Sequence, residues 1–242
     1  MSTPPSARRS VTAAAAAVLL AVAAVVYNNW LLQFFVRTGL DQVNSYVSEA
    51  FAADQPHRWL FGGIEMAAAG LVIAAAVLGG SIAARFGLVL TGWVAISAFG
   101  ACTVADVLLP MECAPSLEPG CPSGNLSHTI TSGLVHFALF ASMAAFIVAA
   151  RRAGATGRVL PLVRRWGVWL FAVSMVSALG SVGPHLGYPG GQGVAQRVHL
   201  VAVGLWFALL AVELLRGGFG DVESPGAATN SGVPILVTAP AN

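Results

Sequence analysis

The chain has 242 residues, 57% of them hydrophobic and 9% charged, with a net charge of +2 and a mean hydropathy of +0.77. A water-soluble domain carries about a quarter charged residues, so this chain has too few to cover a water-facing surface and belongs in a bilayer. It also has no basic aromatic surface and no phosphate-binding glycine loop, which argues against a nucleic-acid or nucleotide partner.

A membrane span needs about 20 mostly apolar residues. Six stretches qualify: 11–32, 60–80, 86–109, 128–150, 162–183 and 196–215. The expected fold is all-α, a bundle of six transmembrane helices. The first stretch follows Arg8 and Arg9 and competes with a cleaved signal peptide, with "AVA" at 21–23 as the cleavage site. Its apolar run resumes beyond Tyr27, longer than a signal core, so a retained span is the expectation. Arginine placement sets the orientation. Arg8, Arg9, Arg85, Arg151, Arg152, Arg158, Arg164, Arg165 and Arg216 fall on one side, and Arg37, Arg58 and Arg197 on the other. Nine against three puts residues 1–10 and the Gly/Pro/Ser-rich tail, 217–242, in the cytoplasm, the tail as disordered peptide. All the basic residues are arginine, and with the abundant Ala and Gly this suggests a GC-rich bacterial genome. The expected location is a bacterial inner or plasma membrane.

The loop Met111–Ser127 is then extracytoplasmic, an oxidising location in which Cys113 and Cys121 are expected to close a disulfide. The alternative, a metal site using both thiols and His128, lacks the close ligand pairs typical of zinc. Cys102, inside the third span, reads as a buried small apolar residue.

Ionisable residues within or at the edge of the spans gather on the outer side. Glu65, Asp106, His136 and His199 all fall within about 5–12 Å of the outer boundary at helical rise. His128 opens the fourth span, Arg197 the sixth, and Asn28, Asn29 and Gln33 end the first. His57 and His185 lie in flanking loops. Glu213, at the inner end of the sixth span, is expected to reach cytoplasmic water. Charges in hydrocarbon cost about 2.5–3.5 kcal/mol each on insertion scales, so they face a cavity or a partner. The pattern predicts an outward-facing polar pocket near headgroup level. His128 and His136 are about 12 Å apart along one helix and cannot share a metal ion. A faint repeat sets "RFGLVLTGWVAISAFG" against "RWGVWLFAVSMVSALG" and would place Glu65 opposite His136 on a shared axis.

"YNNW" leaving the first span, "YVSEAFAADQPHRWLFGGIEMAAAGL" entering the second, "DVLLPMECAPSLEPGC" before His128 and His136, and "GQGVAQRVHL" at the last span together carry a resemblance. From about Tyr27 to Arg216 the chain resembles an uncharacterised bacterial multi-pass membrane family, domain of unknown function 998. That family is similar in layout to the eukaryotic Frag1/DRAM/Sfk1 membrane proteins, some of which are linked to lipid handling. The resemblance implies the fold and the position of a site, not a reaction.

Three functions fit this pattern. The leading one is binding or handling of a membrane lipid headgroup in envelope lipid organisation, with Arg197 holding an anionic group and Asn28, Asn29 and His199 supplying hydrogen bonds. A metal-dependent membrane hydrolase would use Glu65, Asp106, His136 and His199 as metal ligands or as an acid/base pair. It lacks both the paired histidines of ceramidase-like hydrolases and a G-x-S-x-G nucleophile motif. A redox protein would bind haem axially through His136 and His199. No cofactor or protein partner follows from the sequence.

Overall fold

A computed structural model describes residues 7–83, 87–122, 125–154 and 159–219. Arg85, Arg158, most of the tail and the first six residues lie outside the described residues. The described residues contain six α-helices: α1 Ala7–Val26, α2 Arg58–Ile82, α3 Leu88–Leu108, α4 Leu126–Arg152, α5 Pro161–Gly180 and α6 Gln192–Leu215. All six are long and apolar enough to cross a membrane, α1 together with the short 3-10 helix Asn29–Phe34 that extends it. Each helix packs on its neighbours in the chain, and α6 closes the ring against α1. The loops 35–57, 109–125 and 181–191 gather at one end, here the disulfide end. The helix termini rich in arginine form the other, the arginine end.

Between helices in a bilayer there is little hydrophobic driving force, so association depends on close van der Waals packing at small residues. The bundle follows that rule. On α1 the buried stripe is Ala16, Ala17, Leu20 and Ala23. Gly204 of α6 lies so close to α1 that a Cβ there would stand 2.8 Å from the Ala24 carbonyl oxygen. Gly79 and Gly92 likewise leave room for the rings of Trp93 and Phe146. Those two rings meet edge to face, with centroids 5.3 Å apart, and fill the arginine half of the core. In the other half Tyr27, Phe99 and Phe207 form a second aromatic cluster, joining α1, α3 and α6.

Helix ends are fixed by specific chemistry. Asn125 caps α4, its side chain accepting from the His128 backbone N–H, a contact that contributes about 1 kcal/mol. Arg151 and Arg152 occupy the last turn of α4, where the helix dipole favours cations. The start of α5 is capped from a different helix. Leu160 takes a left-handed conformation, Pro161 opens the helix, and Glu213 of α6 accepts from the backbone N–H groups of Leu162 and Val163 at 2.6 and 2.9 Å. Glu213 is fully buried. This corrects the expectation that it reaches water: it neutralises two orphan amides at a helix N-terminus.

Candidate functional site: a polar chain through the disulfide half of the bundle

The three loops of the disulfide end are knitted together before any site is formed. Cys113 and Cys121 are joined by a disulfide, with Cα atoms 6.0 Å apart; closing such a short loop stabilises by about 2–3 kcal/mol. Within this loop Ala114 is buried against a small cluster of Leu40, Phe51 and Phe61. Glu49, buried in the short helix Val47–Phe51, accepts from the Ser116 backbone N–H and hydroxyl at 2.9 and 2.5 Å and from the Tyr46 N–H at 2.7 Å. The first loop is thereby clamped to the disulfide loop. Ala53 donates to the Met111 carbonyl across the same seam. Glu49 was not among the residues singled out from the sequence, because nothing in its loop position marks it as buried.

Tyr46 reaches the third loop, donating its hydroxyl to the Ser181 carbonyl at 2.7 Å. Partial burial first, and the Glu49 carboxylate second, push its phenol from the usual 10.0 up to about 12. For an acid with a raised folded value, the neutral form favours folding below the unfolded value. That contribution is lost as pH climbs from about 10 towards 12. We expect the phenolate absorbance missing from a Tyr46→Phe variant, read as a difference spectrum, to emerge near pH 12. A transition near 10 would mean that Tyr46 is free in solvent.

Arg197 completes the cap. It is 6% exposed. Its Nη1 donates to the carbonyls of Gln42, Ser45 and Gly193 at 2.9, 3.0 and 3.0 Å, and its Nη2 to Gln33 Oε1 at 2.7 Å. The guanidinium also lies 5.7 Å above the Trp30 ring. Gly193 is required here, since a Cβ would come within 2.5 Å of the Ser45 carbonyl. Arg197 therefore staples the first loop onto α6. Both terminal nitrogens of Arg197, expected from the sequence to hold an anionic headgroup, are engaged by protein oxygens. Asn28 is committed in the same way, donating to the Ala24 carbonyl and accepting from Trp30 Nε1.

Below this cap lies the layer of ionisable residues. Asn29 donates to Glu65 Oε2 at 2.8 Å, joining α1 to α2. Glu65 on α2 and Asp106 on α3 stand on helices packed against each other. Asp106 Oδ1 accepts from the hydroxyls of Thr131 and Ser132 at 2.5 and 2.8 Å and lies 3.3 Å from His128 Nδ1, joining α3 to α4. Ser132 then hands the chain inward: its carbonyl oxygen is 2.7 Å from His136 Nδ1. The His136 ring stacks on His199 of α6, with centroids 4.6 Å apart and planes 22° from parallel. His199 Nδ1 in turn meets the hydroxyl and carbonyl of Ser174 on α5 at 2.9 and 3.1 Å. A carbonyl oxygen can only accept, so each of these imidazoles carries its proton on Nδ1. The polar chain thus touches all six helices.

The structure brings together Asp106 with His128 and His136 with His199. Glu65 and His136, which the internal repeat would set on a shared axis, have separate partners, Asn29 for the one and Ser132 and His199 for the other. Among the described residues, no group of three or more His, Cys, Asp or Glu side chains is arranged to hold a metal ion, so the four candidates do not form a ligand set. The two histidines of the haem expectation are stacked face to face here. Axial ligation needs imidazoles that point at each other across a macrocycle, whereas His136 and His199 lie face to face in contact. Cys102, expected to be buried, is half-buried against the core. A cleft of about 610 Å³ opens beside the disulfide loop, lined by Met111, Glu112, Asn125, Ile130 and neighbours. None of the four candidates lines it.

Thr131, Ser132 and Ser174 were missed from sequence. The first two carried a signal: with His128 and His136 they recur at spacings of three and four, one face of a helix. Ser174 carried none, because a lone serine among apolar residues is ordinary.

A model of a family described as a protein of unknown function, DUF998, matches residues 14–213. The chain belongs to the DUF998 family. The matched span begins inside α1 and ends at Glu213, so it takes in the whole polar chain, the disulfide loop and the Glu213 cap. This DUF998 protein, with six helices able to span a bilayer, is an integral multi-pass membrane protein. Neither a curated protein nor a solved structure matches it.

Proposed function

We propose that this DUF998 protein binds the polar headgroup of a membrane lipid at the disulfide end, in the service of lipid organisation in a bacterial cell envelope, with its termini on the cytoplasmic side. The observation that supports the reading is the Asp106 carboxylate. It sits near the disulfide end of α3, within a candidate span, and gathers Thr131, Ser132 and His128 around itself. Ionisable groups are held at such a depth at a cost and ordinarily serve a ligand or a pathway. With the terminal nitrogens of Arg197 engaged in the cap, this layer offers the carboxyl groups of Glu65 and Asp106. The headgroup that suits it is a donor, rich in hydroxyl or amine hydrogens, rather than a bare phosphate.

Mass spectrometry of lipid carried through purification tests the reading. The wild-type protein is expected to retain a lipid with a hydroxyl- or amine-bearing headgroup, and the pair Glu65→Gln with Asp106→Asn to lose it while still folding. Retention of the same lipid by the double variant, or a wild-type protein that carries none, refutes it.

A further inference from the structure

An apolar groove on α5 and α6, lined by none of the side chains of the polar chain, offers a second site for lipid. Helices α5 and α6 enclose a groove of about 390 Å³ lined by Trp166, Trp169, Leu170, Val173, Val201 and Leu205, among others. No titratable side chain lines it. The groove starts about one turn into α5 from the arginine end and runs toward mid-membrane. At its mouth the Arg165 guanidinium lies 5.1 Å over the Trp166 ring. Arg165 makes no ion pair among the described residues, and Arg216, at the end of α6, is exposed beside the same end. Arg164 differs, being engaged with the Gly154 carbonyl at 2.7 Å.

Two occupants compete for an apolar groove within a bilayer, a helix or an acyl chain. Helices pack closely where small residues let backbones approach. The outward face of α5 presents the reverse: Trp166 is 48% exposed, Trp169 69%, Val173 46% and Val176 69%. Bulky ridges flanking a narrow furrow suit a flexible chain better than a rigid cylinder. The charge at the mouth then selects the headgroup. A guanidinium with no carboxylate partner, fixed on an indole face, is a phosphate seat.

We propose that the α5–α6 groove holds an acyl chain of an anionic phospholipid from the leaflet at the arginine end, with its phosphate on Arg165. The test uses the full-length protein reconstituted in phosphatidylcholine vesicles, titrated with brominated phosphatidylglycerol or brominated phosphatidylcholine. Bromine quenches nearby indoles, and the difference between wild type and Trp169→Phe isolates the groove. Half-maximal quenching of that share is expected at about five-fold lower mole fraction for the anionic lipid. Arg165→Gln is expected to erase the difference between the two lipids and Arg165→Lys to keep part of it.

Equal quenching by the two lipids in the wild type overturns the proposal, as does a preference that survives Arg165→Gln. Resistance of the groove share to both lipids would mean that a helix or a second copy fills the furrow, which also overturns it. Should Arg165→Gln fail to insert, ionic strength decides on the wild type alone. At about 1 M salt the screening length is about 3 Å, and a preference indifferent to that change refutes a phosphate on Arg165.

Discussion

Arg197→Ala is expected to destabilise the protein by on the order of 4 kcal/mol, lowering the melting temperature in detergent by roughly 10 °C. The carbonyls of Gln42, Ser45 and Gly193 and the amide oxygen of Gln33 all accept from this one side chain. Truncation would leave the Gln42 and Ser45 carbonyls without this donor in a seam that Arg197 itself fills, while Gln33 Oε1 keeps its bond from Gln42 Nε2. Arg197→Lys should recover little, since a single ammonium cannot span the two nitrogen positions that separate the loop carbonyls from Gln33. The loss should also be local before it is global. Proteolysis within residues 37–47 is expected to precede unfolding of the helices, because the staple ties that loop onto α6. A variant as stable as wild type would return Arg197 to the role of a free cation and reopen the anionic-headgroup reading.

Glu213→Ala is expected to cost about 2–3 kcal/mol and Glu213→Gln much less. One carboxylate oxygen, Oε1, serves both amides at the start of α5, and a glutamine can present an amide oxygen in the same place. The second oxygen has no hydrogen-bond partner, so the charge contributes mainly through its proximity to the N-terminus of α5. Removing the acceptor frees two N–H groups in a buried turn; removing only the charge keeps both bonds. Thermal unfolding of the three proteins side by side checks the order. A glutamine variant as damaged as the alanine variant would mean that the charge, not the hydrogen bonds, holds α5 in place.

These two residues also mark what a sequence can and cannot carry in a membrane protein. Both stand out in the sequence as charges within apolar runs, and that much follows from the cost of ionisation in hydrocarbon. Their direction does not. Each was assigned to water or ligand because the residues that satisfy them are far away in the chain: Gln42 and Ser45 lie 155 and 152 residues from Arg197, and Leu162 lies 51 from Glu213. Backbone groups are also the main partners, and every residue has those, so no side-chain pattern announces them. The disulfide was legible for the opposite reason. Its cysteines are eight residues apart, close enough in the chain to pair within one loop.

The polar layer lies between these cases. Rise per residue along a helix places Glu65, Asp106, His136 and His199 at similar depths, and depth is a one-dimensional property that a sequence fixes. Which of them meet is set by helix rotation and neighbour order, and these depend on small-residue contacts such as Gly204 against Ala24 and Gly100 against Ala69. Composition and hydropathy alone determined that the chain is a six-helix membrane protein with a disulfide loop and an ionisable stratum at one end. Only the tertiary structure decided that Arg197 and Glu213 serve the fold, that His136 stacks on His199, and that Asp106 gathers the hydroxyls of α4. The physical reason is that burial cost depends on the residue itself, whereas the partner that repays it depends on which helices are neighbours.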